Sequence, residues 1–245
     1  MISDDNGNPR SNQIYYTYTK FYDKRHDMYK VILPEQLPNP SQYKWFGSFA
    51  NPCYGFDVKV DVTKLVAHGK AHGTKFFVNT LYLVTKALSS VDAFRMRYVG
   101  GEIRLYDVIN PTFTVMTDFG EFENAGFAMV DDYQGFYDRA CSVLEQTSHQ
   151  TIIKETYNDS ANYDDFYITC IPWLSYEGMT HPLPNNNPES SSVPRICWDK
   201  YRTEGDRIVM NLNITVSHCF VDGKRLCEAF AAVQRAFDNC ETLLR

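Results

Sequence analysis

The chain has no run of 18 apolar residues, which argues against a membrane-spanning helix. It has no excess of positive charge either. Its 24 Lys and Arg stand against 30 Asp and Glu, for a net charge of −6. A general nucleic-acid binder needs a basic face, so that class is set aside. The seven cysteines (Cys53, Cys141, Cys170, Cys197, Cys219, Cys227, Cys240) never form Cys-x-x-Cys. Odd in number and widely spaced, they indicate neither a zinc site nor a disulfide framework. The expectation is small, mostly buried thiols in a reducing cytosol. The first residues, Met1-Ile2-Ser3-Asp4-Asp5, offer neither the basic nor the apolar region of a signal peptide, so a cytoplasmic location is expected. Only two of the six histidines, His68 and His72, lie close together. Without His-Glu-x-x-His or a third ligand they read as a solvated helix face, and no metal is expected.

A composition that is 44% hydrophobic and 15% aromatic supports a sizeable core over 245 residues. Residues 1–13 are polar and predict a flexible tail, and residues 14–245 read as one domain. Residues 14–50 are aromatic-rich but irregular, with Pro34, Pro38 and Pro40 breaking any long helix. Beyond them, residues 54–62, 95–99, 102–107, 112–116, 165–170 and 195–201 read as strands. Gly100-Gly101 marks a hairpin-like turn. Residues 63–72 suggest a short helix or a connection. Residues 75–88 read as a buried helix, and residues 133–148 as an amphipathic one. Residues 181–192 read as a polar surface loop. Strands and helices mixed without strict alternation point to an α+β fold, a two-layer sandwich with a mixed sheet flanked by helices.

The most informative segment is Ile214-Thr215-Val216-Ser217-His218-Cys219-Phe220-Val221-Asp222-Gly223. The alternating stretch 209–216 reads as a strand ending at His218. Asp222-Gly223 signals a turn, and Leu226, Phe230, Val233 and Phe237 then fall on one helix face. Imidazole suits proton transfer near neutral pH. A single histidine is still more often a polar residue at a strand end than a base. Cys219 reads as a core residue, because adjacent strand residues point to opposite faces and His218 is poorly placed to activate it. Asp222 could orient the base, but a structural role in the turn is the better reading. Lys75 precedes a helix where a phosphate could bind, and Tyr201 beside Lys200 could stack on a base. Each also has an ordinary reading, as a solvated lysine or a core aromatic.

Several segments in one order resemble the chloramphenicol acetyltransferases over roughly residues 43–240. They are Phe49-Ala50-Asn51-Pro52, Lys75-Phe76-Phe77, Phe94-Arg95-Met96-Arg97, Tyr106-Asp107, Ile171-Pro172-Trp173, Lys200-Tyr201 and His218-x-x-x-Asp222-Gly223. The resemblance implies a homotrimeric CoA-dependent acyltransferase whose active sites lie between subunits. It implies acetyl transfer from acetyl-CoA to a small-molecule hydroxyl, with His218 as general base and Asp222 in support. It also implies Lys75, Lys200 and Tyr201 at the CoA site and Phe46 in the acceptor pocket.

The chain departs from the family pattern at three places. Gly178 stands where the family carries a serine that stabilises the oxyanion, with Ser175 and Thr180 the nearby hydroxyls that could replace it. Cys197 stands at a family threonine. No arginine precedes Phe46 to pair with Asp222, which leaves Lys44, an arginine from elsewhere, or no charged partner. The leading reading is acetylation of a hydroxyl acceptor by direct attack on the thioester. The alternatives are a divergent member with another acceptor, a non-catalytic CoA-binding trimer and, more weakly, an acyltransferase of the dihydrolipoyl type with a longer acyl donor.

Overall fold

A computed structural model of the chain describes residues 28–150, 162–184 and 186–245. The predicted tail, residues 1–13, lies outside them. The described residues form ten strands: β1 (Tyr29–Ile32), β2 (Cys53–Asp61), β3 (Met96–Val99), β4 (Glu102–Tyr106), β5 (Asn110–Met116), β6 (Phe122–Gly126), β7 (Asp165–Ile171), β8 (Arg195–Asp199), β9 (Arg202–Glu204) and β10 (Arg207–Ser217). The helices are α1 (Pro40–Phe46), α2 (Thr63–His72), α3 (Phe76–Ser89), α4 (Tyr133–Ser148), α5 (Pro188–Ser191), α6 (Gly223–Asp238) and α7 (Cys240–Leu243).

The main sheet runs β2-β10-β8-β7-β5-β6, with β9 paired to the start of β10. The pairs β5–β7 and β7–β8 are parallel and the others antiparallel, so the sheet is mixed as expected. A second sheet, β1-β4-β3, contains the hairpin at Gly100-Gly101, where both glycines have positive φ. Strand β10 pairs with β2 on one side and with β8 and β9 on the other. On one face Met210, Leu212, Ile214 and Val216 are buried with Leu226, Ala229 and Val233 of α6 in the apolar cluster. This is the period-two alternation that the sequence shows, and it sets one face of the strand under the helices. Helix α3 packs against α2, α4 and α6.

The opposite face of β10 carries Asn211, Asn213, Thr215 and Ser217, all buried. Asp199 of β8 and Asp57 of β2 satisfy part of this polar face. Asp199 Oδ1 accepts from the Asn211 main-chain N–H at 2.7 Å, and Asp199 Oδ2 accepts from Asn211 Nδ2 at 2.8 Å and from Tyr176 N–H at 3.1 Å. Asn213 Nδ2 donates to Asp57 Oδ1 at 3.0 Å.

Several expectations need correction. The strand read over 195–201 stops at Asp199, where the carboxylate turns to Asn211 and the Lys200 N–H leaves the ladder for the Leu174 carbonyl. The loop read over 181–192 ends in α5, and Ser190, Ser191 and Ser192 are buried, because the Tyr98 N–H donates to Ser192 Oγ and the Gly100 N–H to Glu189. His68 does not lie on a solvated face. It is buried, stacked on His72 with ring centroids 4.1 Å apart, and burial lowers its pKa. Among the cysteines only Cys197 and Cys240 are fully buried, and Cys227 is exposed.

Candidate functional site

His218 follows the last residue of β10, and the chain turns before α6. The Phe220 and Val221 N–H groups both donate to the Ser217 carbonyl, and Cys219 N–H contacts Ser217 Oγ. Asp222 is the N-cap of α6. Its Oδ1 accepts from the Arg225 N–H at 2.9 Å, the pattern that satisfies a free donor of the first turn. The turn between strand and helix is thereby closed at both ends. The His218 N–H donates to the Pro52 carbonyl at 2.9 Å, which ties the start of the turn to the segment entering β2.

The imidazole of His218 lies between two rings. Phe46 stacks on it at 3.9 Å with planes 8° apart, and Tyr54 at 4.4 Å and 29°. Two rings at those separations cannot share one face, so they bracket the imidazole. Nδ1 is buried with no hydrogen-bond partner among the described residues, which leaves Nε2 as the nitrogen reachable from outside. The Tyr54 hydroxyl donates to the Val221 carbonyl at 3.3 Å. Burial, with Asp222 nearby, pushes its pKa up to about 12, so it stays a neutral donor.

The second oxygen of Asp222 contacts Arg225 Nη1 at 2.5 Å and Asn39 Nδ2 at 3.0 Å. The charge partner is therefore an arginine of its own helix, three residues on. Of the three options that the sequence leaves open, the partner is thus an arginine from elsewhere and not Lys44. Cys219 is half-buried, and burial raises its thiol pKa, which favours the inert protonated form.

The other candidate residues are elsewhere. In the register, Thr215 faces Arg195 and Leu212 faces Trp198 across β10–β8. Lys200 and Tyr201 follow the far end of β8, level with Met210 and Val209, so they lie about 25–30 Å along the sheet from His218. Both are exposed, and the Tyr201 ring meets Phe76 at 4.9 Å, beside the start of α3. Tyr201 and Phe76 line a pocket of about 260 Å³ together with Lys70 and Thr74. Lys75, just before α3, lines a neighbouring cavity of about 500 Å³ with Leu144, Glu145 and His149. Its own N–H donates to the Tyr137 hydroxyl at 3.0 Å.

Gly178 is exposed and lies over the middle of the polar sheet face. A β-carbon there would meet only Asp57 Oδ2, at 3.9 Å. Ser175 donates its hydroxyl to the Lys200 carbonyl at 2.7 Å, which holds the two loops together. Cys197 is fully buried. Its carbonyl accepts from the Tyr176 hydroxyl at 3.1 Å, and burial pushes its thiol up to about 11. The structure thus brings Phe46 and Tyr54 to His218, and Arg225 to Asp222. It leaves Lys75, Lys200, Tyr201, Gly178 and Cys197 apart from His218 within one chain. Among the described residues no group of three His, Cys, Asp or Glu side chains could hold a metal ion, and no helix is long and apolar enough to cross a membrane.

Comparison with known proteins gives one consistent result. The family model described as chloramphenicol acetyltransferase matches residues 16–234. A chloramphenicol acetyltransferase of Proteus mirabilis is 25% identical over 216 residues, covering 85% of this chain and 94% of the relative. One of Staphylococcus aureus is 28% identical over 193 residues, covering 76% of this chain and 87% of the relative. A solved structure of a chloramphenicol acetyltransferase superposes with a TM-score of 0.78 at 23% identity, covering 85% of this chain and 99% of that one, a likeness of fold.

Proposed function

The chain belongs to the chloramphenicol acetyltransferase family and is an acyltransferase, and we propose that it moves an acetyl group from acetyl-CoA to the hydroxyl of a chloramphenicol-like acceptor, with His218 as general base. The observation that carries this reading is the state of His218: an imidazole locked between two rings, its Nδ1 buried and its Nε2 accessible. Nε2 takes the proton of the acceptor hydroxyl as the oxygen attacks the thioester carbonyl. The carbon–sulfur bond then breaks, and the proton passes to the departing CoA sulfur. No covalent acyl-enzyme is needed.

The residues around the two pockets fit the co-substrate. CoA carries several phosphates and an adenine. Lys70, Lys75 and Lys200 supply exposed cations to an otherwise acidic chain, and Tyr201 supplies an exposed ring. When bound there, acetyl-CoA supplies the activated acyl group. From the family resemblance we also propose a homotrimer in which each site is shared by two neighbouring chains. Exposed Trp45, Phe49, Trp173 and Leu174 provide apolar surface for such contacts.

The test mixes purified protein with acetyl-CoA and chloramphenicol, and follows thiol release and sedimentation. The expected result is a particle of three chain masses and CoA release that falls about 10²–10⁴-fold in His218→Ala. Release no faster than that of His218→Ala would sink the chloramphenicol assignment. Release restored by another hydroxyl compound would move the acceptor and keep the mechanism. CoA binding without turnover across a panel of hydroxyl acceptors would favour a non-catalytic CoA-binding protein, a reading that Gly178 and Cys197 motivate.

A further inference from the structure

Helix α1 has seven residues and buries none of them. An isolated helix shorter than about 12–15 residues is marginal in water, so its neighbours must hold it. Asn39, Gln42 and Phe46 follow the i, i+3, i+7 spacing that places side chains on one face. All three reach the turn at 218–222. Asn39 Nδ2 donates to Asp222 at 3.0 Å, Gln42 Nε2 donates to the main-chain carbonyl of His218 at 2.6 Å, and Phe46 stacks on the imidazole. Tyr43, beside Gln42, meets Phe220 at 5.7 Å.

Both main-chain groups of His218 are therefore held by one segment. Its N–H is bonded to Pro52, just past α1, and its carbonyl is bonded to Gln42 within α1. We infer that α1 is a brace for the turn and that Gln42 is a positioning residue that sets the direction of the His218 imidazole. Ring stacking allows sliding in the plane, so Phe46 and Tyr54 fix the plane of the imidazole but not its rotation within it. A hydrogen bond is directional, and the one from Gln42 pins the peptide that carries the ring. Gln42 reaches His218 only through the main-chain carbonyl, so it acts through His218. The inference rests on the acyl-transfer reading for its consequence, though not for its geometry.

The experiment compares Gln42→Ala and Gln42→Glu with the wild type. Glutamate keeps the shape of the side chain, but its carboxylate has no proton to donate. Since Gln42 is only half-buried, Tm should move by less than about 4 °C in either variant. The expected result is a fall in kcat of roughly tenfold in both, with KM for acetyl-CoA within twofold of wild type, because a misdirected base costs rate rather than binding. The NMR signal of the His218 ring, identified by its loss in His218→Ala, should shift and broaden in both variants. An unchanged ring signal with unchanged kcat would overturn the proposal. So would a rise in KM alone, or a loss of activity that tracks a large fall in Tm. If wild-type protein releases no CoA, the acyl-transfer reading fails, and the ring signal alone then decides whether Gln42 positions His218.

Discussion

Asp222 serves two groups with two oxygens: one caps α6, and the other meets Arg225 and Asn39. Removing an aspartate cap costs about 0.5–2 kcal/mol, whereas a partly exposed ion pair is worth about 0–1 kcal/mol. The cap should therefore dominate. Asp222→Ala is expected to lower the urea midpoint by the equivalent of about 1–2 kcal/mol, and Arg225→Ala by less than about 1 kcal/mol. Equal losses in the two variants, measured by urea unfolding, would mean that the ion pair and not the cap holds the turn. Arg225 was legible in principle, three residues after Asp222 on a helix that the sequence announces. Asn39 and Gln42 were not. They lie 183 and 176 residues from their partners, and no local pattern encodes such a meeting.

Strong local signals mark the elements that the sequence revealed. Helix α4 spans Tyr133–Ser148 as its apolar spacing predicts, and Asp132 caps it by accepting from the Gly135 N–H at 2.7 Å. Strand β10 was read from its alternation, which the helices and the polar face both use. Strands β1 and β6 lack such a signal. Each is a short edge strand, Tyr-Lys-Val-Ile and Phe-Glu-Asn-Ala-Gly, stabilised by its single neighbour more than by its own residues. The early end of β8 has the same non-local origin. Asp199 is buried and accepts from Asn211 and Tyr176, so it ties the loop after β7 to the sheet. Asp199→Leu would strand those donors and should cost about 2–4 kcal/mol. Amide exchange should also quicken at Tyr176, which loses its acceptor. Wild-type exchange at that amide in the variant would show that the loop is held by other means.

Two groups, the half-buried His181 and the buried Asp165, pull the stability of the whole molecule in opposite directions as pH changes. Burial, helped by the charge of Arg195, lowers the pKa of His181 to about 4. An unfolded histidine titrates near 6.5, so between about 6.5 and 4 the unfolded chain binds more protons, and stability is lost as pH falls. Burial and the neighbouring Asp164 push Asp165 up to about 7, and Asp164 is raised as well. Unfolded aspartate titrates near 3.9, so between about 4 and 7 the folded chain binds more protons, and stability is lost as pH rises. The windows overlap, and the two slopes offset each other in the wild type. His68, also lowered by burial, adds to the histidine side. In His181→Gln the aspartate slope remains, so this variant should gain stability relative to wild type as pH drops from 7 to 4.5. In Asp165→Asn the histidine slope is left with less opposition, and the difference should run the other way. Urea midpoints at half-unit pH intervals measure both. Parallel pH curves for the two variants would mean that neither group carries a shifted proton in the folded protein.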